Sequence, residues 1–137
     1  MNTLEAMQAR RSIRKFRPDA VSDDLVRKII QAGIWAPSGR NRQPWQFYVV
    51  RGERRVEMMS AMQAGMEKKR AGGEYMGSSE NSARIMAEAP VTLFVFNTQR
   101  ENQSEPLPPS DLVRNSVDVQ SIGAAIEHMC LAAVELG

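Results

Sequence analysis

The spacing of apolar residues along the chain predicts alternating helices and short strands. The clearest case is a helix over residues 23–35, which begins after a capping residue, Ser22, and stops before Pro37. Its apolar positions recur every three or four residues and form one stripe: Leu25, Val26, Ile29, Ile30 and Ile34. A shorter helix, capped by Thr3, is predicted to precede it and to end near residue 10.

The rest of the pattern predicts two strands, a loop and three more helices. Residues 47–50 are a short β-branched and aromatic run, and residues 91–96 are nearly all apolar, which is typical of a central strand buried on both faces. Three prolines predict a loop at residues 99–111. The further helices are expected at residues 53–70, 79–87 and 117–136. A sheet flanked by helices in so short a chain indicates an α+β or α/β domain.

Size and composition favour one ordinary globular domain covering residues 1–137. Hydrophobic residues make up 42% of the chain and charged residues 25%, and a net charge of +2 excludes a strongly polybasic protein. One cysteine excludes an internal disulfide framework and fits a reducing compartment. We see no signal-peptide pattern and no apolar stretch approaching the length of a membrane span. A cytoplasmic protein is therefore expected.

Positive charge is concentrated at residues 10–17, here called the basic segment. It packs five cations and one hydroxyl into eight residues, with little acid nearby. Guanidinium groups bind phosphate oxygens bidentately and a serine adds a neutral donor, so this segment suits a phosphate. The ordinary alternative is a solvated basic turn whose cations pair with scattered carboxylates. The candidate binding residues are Arg10, Arg11, Ser12 and Arg14.

A second stretch, residues 36–45, is here called the polar loop. Two prolines constrain it and one glycine opens it, and it offers a hydroxyl, two amides and a tryptophan. These groups suit a planar heteroaromatic ligand with hydrogen-bonding edges. Alternatively, the loop is a turn in which Ser38 and Asn41 satisfy their own backbone, and Trp45 and Phe47 are expected in the core. The candidate binding residues are Pro37, Ser38, Asn41 and Gln43.

Other chemistry-bearing residues have ordinary explanations. His128 is the sole histidine, and it does not face Cys130 on a helix, so no metal site is expected. Cys130 is most simply a small core residue. Asp23 and Asp24 fit the start of a helix better than an acid–base pair. We find no nucleophile triad and no phosphate-binding glycine motif, and we therefore expect no catalytic side chain.

The order of the two stretches resembles the opening of the flavin-dependent nitroreductase superfamily. The run R-R-S-I-R-K-F is followed about twenty residues later by A-P-S-x-x-N-x-Q-P-W-x-F-x-V-V. The resemblance is close over the first fifty residues or so, and looser through residues 89–96 and 121–126. It implies a three-layer α/β/α sandwich, assembled as an intertwined homodimer with a flavin in each of two interface sites.

The resemblance also implies roles for the candidate residues. Residues at the positions of Arg10, Arg11, Ser12 and Arg14 hold the phosphate and ribityl chain of FMN in the family. Arg14 would stabilise negative charge at N1 and O2 of the reduced ring. Pro37 and Ser38 would reach the flavin from the partner subunit, with Asn41 near it and Gln43 a weaker candidate.

The function implied is an FMN-dependent oxidoreductase that passes hydride from NADH or NADPH to a nitroaromatic, a quinone or a similar small acceptor by a ping-pong mechanism. Residues 53–88 would decide the acceptor. Alternatives are a flavin-binding protein without turnover, and reductive dehalogenation or flavin-fragmenting chemistry on the same scaffold. A nucleic-acid binder using the basic segment is a distant third, since only Phe16 is available for stacking.

One departure from the resemblance concerns the C-terminal part of the family pattern. The sequence ends at Gly137, before the family's further helices, its additional strand, its donor to flavin N5 and its last basic residues. Exposed apolar surface, and hence an oligomer or poor solubility, is the expected consequence. The long last helix, rich in small residues, is the candidate for the dimer core.

Overall fold

The computed structural model describes residues 2–100 and 105–137. Within these residues the chain forms five α-helices, two β-strands and a single 3₁₀ turn at Gly39–Asn41. In chain order these are α1 (Thr3–Ala9), α2 (Asp23–Ile34), β1 (Trp45–Arg51), α3 (Glu53–Ala71), α4 (Ser79–Glu88), β2 (Val91–Asn97) and α5 (Pro109–Leu136).

The first two helices begin with side-chain caps. The Ser22 hydroxyl accepts a hydrogen bond of 3.3 Å from the Leu25 amide, as the sequence predicts for α2. The prediction that Thr3 caps α1 is wrong, because the cap is Asn2. The Asn2 side chain accepts from the Glu5 amide at 3.0 Å, and the Glu5 carboxylate accepts from the Asn2 amide at 2.9 Å. This reciprocal capping box places the helix start one residue earlier.

Helix α5 is longer than the sequence pattern predicts. It begins at Pro109 rather than near residue 117, so residues 109–111 of the predicted loop are helical, while residues 101–104 of that loop lie outside the described part. Proline suits the first turn of a helix because its fixed φ is helical and its missing N–H has no partner there. The last proline of the predicted loop, Pro109, therefore belongs to the first turn of α5, which is why the predicted start of the helix was too late.

Helix α5 also corrects the expectation that no apolar stretch approaches the length of a membrane span. Among the described residues, this one helix is long and apolar enough to cross a membrane by length and composition, and 22% of that stretch is buried. Its buried residues include Asp118, Ser121, Ala125 and Met129. The helix packs mainly against α2.

The sheet described has two strands, β1 and β2. The Thr98 amide, just after β2, donates to the Pro44 carbonyl, just before β1, at 2.9 Å. The end of one strand thus lies beside the start of the other, and the pair is antiparallel. The prediction of a central strand buried on both faces is wrong for β2 in the described sheet. Thr92 is its one buried residue and Phe96 is 54% exposed, and β2 is an edge strand of the two-stranded sheet rather than a central one.

The chain divides into two compact units. The first comprises Met1–Arg11, Ser22–Tyr48 and Phe94–Gly137, and its core is built from Ala36, Trp45 and Ala125, with Phe47 packed against them. Trp45 and Phe47 are thus core residues, as expected. The second unit comprises Ser12–Val21 and Val49–Leu93. In it α3 packs against α4 and contributes no fully buried residue.

Candidate flavin-binding site

The polar loop has an unusual backbone. Three of its non-glycine residues adopt the left-handed conformation: Arg40 at φ 53°, Asn41 at φ 54° and Gln43 at φ 48°. Such conformations are sparsely populated by residues with a Cβ, and they persist where the surroundings determine them. Two backbone hydrogen bonds close the turn, from Asn41 to the Ser38 carbonyl at 2.9 Å and from Arg42 to the Gly39 carbonyl at 3.1 Å.

The candidate side chains of the polar loop meet one another. The Ser38 hydroxyl accepts from the Gln43 amide at 3.0 Å, and the Asn41 side-chain oxygen accepts from the Gln43 side-chain nitrogen at 3.2 Å. Ser38 therefore satisfies a backbone group of the loop, as the alternative interpretation states, whereas Asn41 satisfies a side chain. Each keeps capacity for a ligand: the Ser38 O–H, the Asn41 NH₂ and the Gln43 carbonyl oxygen have no hydrogen-bond partner among the described residues.

An ion pair anchors the polar loop to α5. Arg42 donates to one carboxylate oxygen of Asp118 from Nε at 3.1 Å and from Nη2 at 2.6 Å. Asp118 is 1% exposed, and the Arg42 side chain is 24% exposed. One helical turn along α5, the Ser121 hydroxyl accepts from the Gly39 amide at 3.3 Å and donates to the Val117 carbonyl at 2.7 Å.

Gly39 lets the loop backbone come close to α5. A Cβ placed on Gly39 would lie 2.2 Å from a γ-carbon of Val117, far inside contact distance. The position therefore requires glycine for space, although its φ is not in the left-handed region. Together with Arg42 and Ser121, this close approach fixes both ends of the turn against one face of α5.

The sequence interpretation missed Asp118, Ser121 and Arg42. A usable signal was present, because Asp118 lies in register with the buried stripe of α5 that contains Ala125 and Met129. A carboxylate on the buried face of a helix requires a partner. What the sequence did not contain was the identity of that partner, since several arginines were available.

The basic segment divides into paired and unpaired cations. Arg10 is half-buried with its Nε 3.7 Å from the Glu127 carboxylate, and Arg11 donates to the Gln8 and Arg10 carbonyls. Arg17 pairs with Asp19 at 2.6 Å. Arg10 and Arg17 thus pair with carboxylates, as the solvated-turn alternative describes, whereas Arg11 binds backbone carbonyls. The exposed side chains of Ser12 and Arg14, by contrast, have no partner in the part of the chain that the structure describes.

The hydrogen-bonding groups that have no partner among the described residues match the two ends of FMN in chemical type. An unpaired guanidinium and a hydroxyl suit a phosphate, and a mixed set of amide, hydroxyl and carbonyl groups suits the edge of a flavin ring. Ser38, Asn41 and Gln43 are brought together in the first unit. That unit also contains Pro37, which is exposed, Arg10 and Arg11, whereas Ser12 and Arg14 belong to the second unit.

The remaining candidates have structural roles. A ring nitrogen of His128 lies 3.3 Å from the Ala32 carbonyl, linking α5 to α2. Burial and the charge of Glu127 raise the pKa of the Cys130 thiol, and Arg10 opposes this, so the thiol is a poor nucleophile at neutral pH. The described residues include no cluster of three metal-ligating side chains. A cleft lined by Gln99, Arg100, Leu107, Asp111, Arg114, Asn115 and Asp118 contains none of the predicted flavin residues.

The mixed α+β architecture and the order of the two polar stretches define the class of protein with which the chain can be compared. Residues 7–137 match the sequence profile of the nitroreductase family, and the chain belongs to that family. The match includes the basic segment and the polar loop. It confirms the resemblance on which the site residues were predicted.

Individual relatives agree with this assignment. The Escherichia coli K12 protein YdjA, described as an NAD(P)H nitroreductase, is 27% identical over 137 residues, covering 100% of this chain and 69% of that protein. A nitroreductase-like protein from Bacillus cereus superimposes with a TM-score of 0.76 at 22% identity, covering 100% of this chain and 66% of its own. A Desulfovibrio desulfuricans protein, described as a nitroreductase in complex with FMN, gives a TM-score of 0.68 at 33% identity, covering 99% and 64%.

The chain spans about two thirds of the length of these three relatives. The structural likeness confirms the nitroreductase-like α+β fold expected from the sequence. The single-domain organisation, the homodimer, the cytoplasmic location and the eight cofactor-binding residues stay predictions.

Proposed function

We propose that the protein is an FMN-dependent oxidoreductase using NADH or NADPH as electron donor. FMN supplies hydride transfer, taking electrons from the nicotinamide and delivering them to a second small molecule in the same site. The observation that carries the proposal is that one family match covers both stretches of the chain that retain unpaired donors for a ligand, the basic segment and the polar loop.

In this proposal the basic segment binds the phosphate end of FMN. Ser12 and Arg14 are available because their side chains are exposed and make no hydrogen bond or ion pair within the described residues. Arg10 and Arg11 first have to exchange their present contacts with Glu127 and backbone carbonyls. Within this segment Arg14 is assigned to the ring rather than to the phosphate, where its charge would stabilise negative charge at N1 and O2 of the reduced flavin.

The polar loop binds the ring. The Ser38 hydroxyl and the Asn41 NH₂ group are available to donate hydrogen bonds to the ring, and the Gln43 side-chain carbonyl is available to accept one. The loop therefore suits a ring edge that carries both donors and acceptors. Pro37 limits the conformations of the chain just before these groups. A loop that contacts flavin across a subunit interface would make binding depend on a homodimer.

No side chain is assigned to acid–base or nucleophilic catalysis. His128 contacts a carbonyl of α2, and the raised pKa of Cys130 keeps its thiol protonated at neutral pH. The chain's own residues bind and orient the cofactor and adjust its charge, and a nitroaromatic or a quinone is the class of acceptor that we propose. A soluble cytoplasmic homodimer is part of the same proposal.

Steady-state kinetics tests the proposal. Protein saturated with FMN should consume NADH or NADPH in the presence of a quinone or a nitroaromatic, with the parallel double-reciprocal lines of a ping-pong mechanism. FMN at the same concentration without protein is the control. Nicotinamide consumption no faster than with free FMN would contradict the oxidoreductase, and flavin that is bound but never reduced would instead support a binding protein without turnover.

A further inference from the structure

Arg42 stands between two of the candidate flavin ligands. It follows Asn41 and precedes Gln43, and both of these neighbours have left-handed backbones. Arg42 itself is not a candidate ligand, because its guanidinium is committed to Asp118 by two donated hydrogen bonds. Any displacement of Arg42 therefore changes the direction of the two candidate side chains that flank it.

We propose that Asp118 and Arg42 are positioning residues that hold the polar loop in its ligand-binding conformation. This inference rests on the proposed function for its link to flavin, but the positioning itself concerns the protein alone. It adds to the binding residues a support in α5, distant in sequence, that the resemblance does not supply.

The strained backbone is the first argument. Left-handed conformations at Arg40, Asn41 and Gln43 are unfavourable for residues with a Cβ, and a free loop would leave them. The two backbone hydrogen bonds of the turn and the Ser38–Gln43 bond are internal to the loop. External restraint comes from α5, through the Arg42–Asp118 pair, the Gly39–Ser121 bond and the close approach of Gly39 to Val117.

The energetics of buried ion pairs is the second argument. Desolvation of two charges offsets most of their attraction, and replacement of such a pair by apolar side chains of similar size is often neutral or stabilising. A buried pair is therefore weak grounds for stability, and its best-attested use is to specify one arrangement among several. Here the arrangement specified is that of a loop whose side chains are candidate ligands.

Competing partners are engaged elsewhere, which supports the specificity of the pair. Arg114 lies on α5 one turn before Asp118 and lines the same cleft, but its guanidinium donates to the Gln99 side chain at 3.1 Å. Asp118 thus pairs with the loop arginine rather than with the arginine of its own helix. Arg42 donates through both Nε and Nη2 to a single oxygen of Asp118, so two of its donors are committed to this one carboxylate.

The test separates positioning from stability. Arg42→Met leaves Asp118 buried without its partner, whereas Arg42→Met combined with Asp118→Leu removes both charges together. Each variant is studied without cofactor by thermal unfolding and by hydrogen exchange of the amides of residues 38–43. FMN is then added and its dissociation constant is measured from the quenching of its fluorescence.

The double variant should unfold at nearly the wild-type temperature, while its loop amides exchange faster and its FMN dissociation constant rises. The FMN dissociation constant is expected to rise about tenfold to a hundredfold, which is the effect known for residues that orient metal ligands through hydrogen bonds. A double variant with wild-type stability, wild-type loop exchange and wild-type FMN affinity would overturn the inference. The pair would then have a structural role only.

A matched control removes an exposed pair of the same unit. Lys28→Met combined with Asp24→Leu deletes the ion pair on α2, whose Nζ and carboxylate oxygen lie 2.7 Å apart, and it should leave loop exchange and FMN affinity unchanged. Failure of the proposed function is distinguishable, because a wild-type protein that binds no FMN would overturn that function. Hydrogen exchange of the loop in the double variant would still support or overturn the positioning role.

Discussion

The polar loop and the basic segment are both proposed to bind FMN, and they differ in how the protein holds them. The polar loop holds an unfavourable backbone in place with a buried ion pair, a serine on α5 and a glycine packed against Val117. In the basic segment, Ser12 and Arg14 are exposed and make no hydrogen bond or ion pair within the described residues. One stretch is ordered by the protein, and the other retains free charge.

This difference indicates how binding free energy would be divided. A preorganised loop loses little conformational entropy when a ligand arrives, so its hydrogen bonds contribute geometry and selectivity. Exposed arginines lose more side-chain entropy but attract an anion over a longer range, with a strength that falls as salt rises. We therefore expect changes in the loop to alter both conformation and binding, and changes in the basic segment to alter binding alone.

The largest expected effect is that of Arg42→Met on the stability of the protein without cofactor. Loss of the guanidinium leaves the Asp118 carboxylate buried and unpaired, which costs about 3–5 kcal/mol of unfolding free energy. Urea denaturation measures this loss, and adding Asp118→Leu should restore most of it. A single variant as stable as the wild type would show that the Asp118 carboxylate does not depend on Arg42 for compensation of its charge.

A large effect on binding alone is expected from Arg14→Ala. Removing a charge-assisted hydrogen bond weakens FMN binding by about 1.5–3 kcal/mol, on the order of tenfold to a hundredfold. Stability should change by less than about 0.5 kcal/mol, because the side chain is exposed. Reduction of the bound flavin should also become less favourable.

The control for Arg14→Ala lies in the same segment. Arg17→Ala removes a cation that is already paired with Asp19 and should change FMN affinity much less. Equal losses in the two variants would mean that net charge, rather than a particular guanidinium, attracts the cofactor. Unchanged flavin occupancy and reduction in Arg14→Ala would reject its assigned role.

An intermediate effect is expected from Gly39→Ala. The new Cβ would meet Val117 at 2.2 Å, and overpacking of this kind costs about 1–3 kcal/mol while shifting the backbone. The FMN dissociation constant and the unfolding midpoint should both change. Val117→Ala added to Gly39→Ala removes the obstructing methyl group and should recover much of both, and a lack of recovery would argue against close approach as the reason for glycine.

The smallest effect in this series is expected from Ser38→Ala. The variant loses the acceptor for the Gln43 amide and one donor to the ligand, each worth about 1 kcal/mol. FMN binding should weaken severalfold, less than in Arg14→Ala. The loss should be confined to protein that sedimentation shows to be dimeric, and an equal loss in a verified monomer would refute the assignment of Ser38 to the partner's flavin.

The sequence was sufficient to predict the order of helices and strands and the family, although not the start of α5 or the cap of α1. Ser22 as a cap and the core positions of Trp45 and Phe47 followed from local patterns, and the structure confirms them. The Arg42–Asp118 pair could not be predicted, because it joins residues 76 positions apart and nothing local selects one arginine over the others. The exposure of Phe96 depends likewise on what packs against its face of the sheet, which the local pattern does not contain.

The measurement that tests the central claim most directly is a visible absorbance spectrum. Purified protein is mixed with FMN, freed of unbound cofactor, and recorded without oxygen before and after addition of NADPH or NADH. We predict that a flavin spectrum is retained with the protein and is bleached by one of the two nicotinamides. Protein that retains no flavin at all would contradict the assignment of the basic segment and the polar loop to FMN.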